Sequence, residues 1–276
     1  PCIAKSWQIS DSGLVYTFFL RDDVFFHDHA LFENTRERRV TANDFVYSFN
    51  RLSNPETASP GAWVFNKVTH EGARLSFTAI NDTIFKIKLK SPFPPFLSLL
   101  SMHYCSVIPS KIVEHYEKDF RKNPIGTGPF EFKMWKEGVK LVLVKNDSYF
   151  EKEGDAQLPY LDAVAISFII DKQAAFIEFV KAKLDFMSGI DASYKDELLT
   201  RDGELNPKYS DQFNLTTQPY LNTEYLGILM DTSKNIAQNS PLRIREVRQA
   251  INHGFDRKKM MRYLRNNIGT PGIYGF

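Results

Sequence analysis

Cysteine is scarce: Cys2 and Cys105 are the only two in 276 residues. They are far apart and sit in no CxxC or Cys/His spacing, which excludes a disulfide framework and a cysteine-based zinc module. A single bond between them stays open, as does a small buried hydrophobe at Cys105 beside a free thiol near the N-terminus. Long apolar runs are missing too. No window holds the roughly 18 consecutive apolar residues that a membrane-spanning helix needs. Charge of one sign is also lacking. A net +2 supplies no polybasic field to attract nucleic acid or a membrane surface. Finally, there is no Gly-Lys-Ser/Thr phosphate loop, GxSxG elbow, HExxH pair or dinucleotide fingerprint, and this points away from an enzyme. What is plentiful is apolar material, 43% of the chain including 23 phenylalanines, enough for one large domain or two smaller ones.

The clearest local structure is a helix with written ends. Thr41 is a good N-cap, and Asp44 stands where a capping-box carboxylate meets unsatisfied N–H groups. Phe45, Val46, Phe49 and Leu52 form one buried stripe, and Asn54-Pro55 stops it. Upstream, 9–21 reads as strand, turn, strand. Downstream, 74–80 and 84–90 form a hairpin in which Phe85, Ile87 and Leu89 alternate with three lysines. The break at 91–95 closes a first unit. Beyond it the pattern predicts a helix at 110–120, paired strands at 130–135 and 139–145, a strand at 163–170, a helix at 173–182 and strands at 184–187, 213–219 and 225–230. Two helices follow, at 243–253 and 256–264. The strand, helix, strand order at 163–187 suggests a right-handed crossover in a mixed sheet.

LVYTFFLRDDVFFHD (14–28), TANDFVYSFNRL (41–52) and NPETASP (54–60) together resemble the signature of solute-binding protein family 5. That family comprises the extracytoplasmic oligopeptide- and dipeptide-binding proteins of ABC importers. The likeness continues through PIGTGPF (124–130), DSYF (147–150), LPYLD (158–162), LDF (184–186), VRQAI (247–251) and Asp256-Arg257. It implies an α/β, mixed α+β fold of the type II periplasmic-binding-protein kind: a small subdomain at 1–91, a mixed-sheet first-lobe core at 92–226, and at 227–276 a hinge crossing with the start of a truncated second lobe. On this resemblance the chain is a fragment that lacks an N-terminal strand and most of the second lobe. Alone it would bind peptide weakly or not at all.

The implied function is non-catalytic: capture of an oligopeptide outside the cytoplasm and delivery to ABC permease subunits. The implied protein is monomeric at full length and periplasmic or lipid-anchored at the cell surface, with no cofactor. Tyr220 and Tyr225 match tyrosines beside the bound peptide, where a ring packs against any side chain and a hydroxyl meets a carbonyl; packing within the sheet is the competing role. Ser188 and Gly189 fall near the cleft. Gly61 replaces a tyrosine that reaches the ligand in some members, and Trp63 stands two residues on.

Other constellations are weaker. His27 and His29, with Asp22 and Asp23 near, could serve a metal-dependent hydrolase but lack further ligands at a sensible spacing. A turn is the alternative. His103 and Cys105 lack the third group that a nucleophile pair needs. Gly126-Thr127-Gly128 precedes a strand, so no helix end cradles phosphate there. The basic helices near Arg243, Arg248 and Arg257 lack interleaved aromatics for nucleic acid apart from Tyr263. A surface interaction protein that reuses the binding fold is the remaining class.

Overall fold

The computed structural model describes residues 2–72 and 74–273. The chain divides into two compact units, Pro1–Phe168 and Ile169–Phe276.

In the first unit a four-stranded antiparallel sheet has the order Ala4–Ile9, Val15–Leu20, Ile84–Lys88, Phe77–Asn81. The middle strands register Tyr16 with Ile87 and Phe18 with Phe85. Because strand side chains alternate, these four apolar residues share one face, and all four are buried. The capped helix packs on that face. It runs Ala42–Ser53, as its end signals predict. Asp44 accepts hydrogen bonds from the Thr41 amide at 2.8 Å and the Thr41 hydroxyl at 2.9 Å. At the other end Asn54 accepts from the Glu56 amide and turns the chain. Phe49 is the hub of the core, with its ring 4.8–5.8 Å from those of Phe45, Phe65, Phe77 and Phe85. Such pairs add about 0.5–1.5 kcal/mol each beyond burial alone. Ser48 ties the helix to the next segment, since its buried hydroxyl accepts from the Ile108 amide at 2.9 Å.

A second sheet of this unit has the order Ala163–Ser167, Lys140–Lys145, Phe130–Lys136 and is again antiparallel. Gly138, at φ +69°, turns the hairpin in a conformation that costs other residues more. The second unit holds the helices Lys172–Val180, Arg245–Gly254 and Arg257–Leu264. Its core stacks Phe176 on Tyr194 at 4.6 Å and Tyr209 on Phe213 at 5.1 Å.

Several expectations change. The strands at 184–187, 213–219 and 225–230 are not formed among the described residues. A strand exists only through its ladder partners, and no described residue pairs with these segments. The crossover at 163–187 is therefore absent, and every ladder among the described residues is antiparallel. The helix predicted at 110–120 ends at Tyr116, where Glu117 takes φ +46° and a 3₁₀ turn continues to Lys122. Cys2 and Cys105 are both free thiols, and burial pushes Cys105 up to about 11.

Candidate functional site

A groove of about 1360 Å³ opens in the second unit. It is formed by the loop after Lys172–Val180, by the irregular segment 212–220 and by the end of the last helix. Ser188, Gly189 and Tyr220 all line it, so three of the six residues singled out in the sequence come together here. Tyr220 is 84% exposed, a ring presented to solvent rather than packed in a sheet. The loop that carries Ser188 is held from below. Tyr194 Oη donates to the Gly189 carbonyl at 3.1 Å, and its ring is stacked on Phe176. Gly189 itself takes φ +77°, the left-handed region that favours glycine. Across the groove, residues 214–219 lie outside any ladder, and all but Leu215 are exposed.

The other three residues do not line this groove. Tyr225 is exposed, in an irregular segment of the same unit. Gly61 and Trp63 belong to the first unit. There Gly61 is buried against Tyr104, and Trp63 stands half in solvent at the start of a 3₁₀ turn. Phe213, Leu215, Thr216, Thr217 and Gln218 line the groove as well and were missed by sequence reasoning. Their polar run reads as an ordinary solvated strand face, and only the loop opposite makes it one wall of a cavity.

A smaller cavity of about 530 Å³ lies over the apolar face of the three-stranded sheet, with His27 and Arg121 among its lining residues. His27 is buried and spent on structure. Its amide donates to the Gly126 carbonyl at 2.8 Å, and its ring Nε2 bonds the Gly128 carbonyl at 2.9 Å. Asn146 donates to the same Gly128 oxygen at 3.0 Å. The glycine-rich turn is thus a pinned launch for the strand Phe130–Lys136. His29 uses both nitrogens, with Nδ1 accepting from the Leu31 amide and Nε2 bonding Tyr116 Oη at 3.2 Å. Asp28 leans towards Arg38 at 3.5 Å. Among the described residues no group of three or more His, Cys, Asp or Glu could hold a metal ion. His103 is exposed while Cys105 is buried, so they do not face each other.

Burial holds His27 below its ordinary value of 6.5, and Arg38 lowers it further, against the Gly128 bond and Glu131, which raise it. A histidine kept neutral by the fold contributes stability that is complete above pH 6.5 and is lost as pH falls through the folded-state value. Urea midpoints should therefore decline below about pH 6.5. His27→Gln, which cannot titrate, should flatten that limb; an unchanged slope in the variant would reject the assignment.

A family model described as the middle region of bacterial extracellular solute-binding proteins, family 5, matches residues 1–275. The dipeptide-binding protein of Escherichia coli is 26% identical over 100% of this chain and 50% of its own length. Heme-binding protein A of Haemophilus influenzae is 28% identical over 98% of this chain and 47% of its own. Among solved structures, NikZ of Campylobacter jejuni in complex with Ni(L-His) aligns with a TM-score of 0.69 and 27% identity. That alignment covers 97% of this chain and 47% of NikZ. DppA of Helicobacter pylori in complex with the peptide STSA gives 0.60 and 28%, covering 72% and 39%. The chain spans about half the length of the curated relatives it matches. With its mixed helices and sheets, it has the fold of the type II periplasmic binding proteins and belongs to the bacterial extracellular solute-binding proteins of family 5.

Proposed function

We propose that this chain is part of the solute-capturing component of an ABC importer, acting outside the cytoplasm, and that its cargo is an oligopeptide. The observation that carries the peptide reading is the groove of the second unit. The exposed Tyr220, the hydroxyl-bearing residues Ser188, Thr216 and Thr217, and a run of chain outside any ladder line the same space. A peptide satisfies such a wall by strand-like backbone pairing, while its side chains enter hydrated room where water supplies adaptable contacts. The dipeptide-binding protein and the peptide complex of DppA support peptide, beside relatives named for haem and for a nickel complex.

On this reading Tyr220, Ser188 and Gly189 contact the ligand directly, and Tyr225, Gly61 and Trp63 are the further ligand-contact candidates that the family resemblance implies. Residues 1–91, 92–226 and 227–276 are the small subdomain, the first-lobe core and the hinge crossing into a second lobe. No catalytic step is involved. The protein works as a monomer in the periplasm or on a lipid anchor, and hands its cargo to permease subunits by closure about a hinge.

Calorimetry on the protein at its full natural length is the test. Tri- to pentapeptides should bind at micromolar Kd or tighter, about −8 kcal/mol, while haem and a nickel–histidine complex give no heat. Tight binding of either of those with none of peptide would replace the oligopeptide by that cargo.

A further inference from the structure

The geometry points to a charge preference in this groove: it selects peptides that carry a cationic side chain, and the Asp185 carboxylate is the group that receives the cation. The inference rests on the reading of the groove as the ligand site. Three charged side chains line it, Asp185, Lys195 and Arg265. Both cations are already neutralised. Lys195 Nζ lies 2.5 Å from Asp196 and 2.8 Å from Asn266 Oδ1, with its side chain only 16% exposed. Arg265 pairs with Glu224. The lysines nearest Asp185 in sequence, Lys181 and Lys183, turn to Glu178, the latter at 2.8 Å, and do not line the groove. Asp185 has no ion pair and no hydrogen bond among the described residues.

One uncompensated negative charge is therefore left in the groove. Aromatic side chains stand in the same groove. Phe179, Phe186 and Phe213 line the same space, with the rings of Phe179 and Phe213 packed 4.6 Å apart. Asp185 is itself exposed, so solvent screens it and its pull on a cation has the modest size of a surface ion pair. Ring faces also attract ammonium and guanidinium groups. A lysine or arginine side chain satisfies both the carboxylate and the rings with its charged head and apolar stem, whereas a glutamate would meet like charge.

The test compares peptides that differ at one side chain, lysine against norleucine against glutamate, on the protein at its full natural length. The terminal amine is common to all three, so the affinity ratios read the side chain alone. We expect the lysine peptide to bind about fivefold tighter than the norleucine peptide at low salt, with the glutamate peptide weakest. Salt should shrink the ratio. Asp185→Asn should bring it to about one, and Asp185→Lys should reverse the order. Peptides that bind with ratios unchanged in Asp185→Asn, or with no charge order in the natural protein, would overturn this inference and leave the peptide reading standing. No binding by any of the three would overturn both.

Discussion

Phe49→Ala should lower the unfolding free energy of the chain by about 3–5 kcal/mol, the range for emptying a large aromatic from a close-packed core. The size follows from the position of the ring. Phe49 is 3% exposed and touches four other phenylalanine rings that come from the helix, the 3₁₀ turn Ala62–Phe65 and two strands. The cavity left behind is walled by elements that are themselves hydrogen-bonded in ladders, so it cannot collapse far. Urea unfolding followed by fluorescence gives the number. Since domains hold only about 5–15 kcal/mol in all, Phe49→Leu is a useful companion, with an expected loss below about 2 kcal/mol. Phe45→Ala provides the internal control, because Phe45 is only partly buried and should cost distinctly less. A Phe49→Ala loss under about 1 kcal/mol would mean that the aromatic cluster is not the centre of this unit.

The ends of that helix were legible in the sequence because their causes are local. Thr41 and Asp44 lie three residues apart, and the bonds between them need nothing from elsewhere in the chain. The hairpin 74–90 was legible for the same reason, its alternation of apolar residues with lysines being a property of one strand. The segments at 184–187, 213–219 and 225–230 failed because β-character is settled by a partner. Their composition suits a strand, yet no described residue supplies a ladder to them. The role of His27 was out of reach of the sequence for a related reason. Its neighbour His29 is visible in sequence, whereas the carbonyl that occupies its ring belongs to Gly128, 101 residues on.

The groove was half legible. Ser188, Gly189 and Tyr220 were reached through the resemblance to a family, but Asp185 lay unremarked within the LDF match. Its significance depends on Lys195 and Arg265 being paired elsewhere, and pairing of that kind is a fact of three dimensions.

Gly61→Ala is the second large effect, and its cause is steric rather than conformational. Gly61 has φ −92°, which any residue can adopt. An added Cβ, however, would stand 2.4 Å from Tyr104 Cγ, 2.5 Å from Cδ1 and 2.7 Å from Cβ. The contact at Tyr104 Cβ lies next to the backbone, so rotating the ring does not relieve it. Overpacking of this kind costs about 1–3 kcal/mol. Tyr104→Gly removes all three contacting atoms together with some packing of its own, so the double variant should be more stable than the sum of the two single losses predicts, by about 1–2 kcal/mol. Strict additivity would show that Tyr104 is not what excludes a side chain at 61. The same variants separate two roles for this position. If Gly61 serves the ligand by leaving room beside it, peptide affinity should fall in Gly61→Ala and stay low in the double variant, where stability is regained. If it serves only the seat of Tyr104, affinity and stability should recover together.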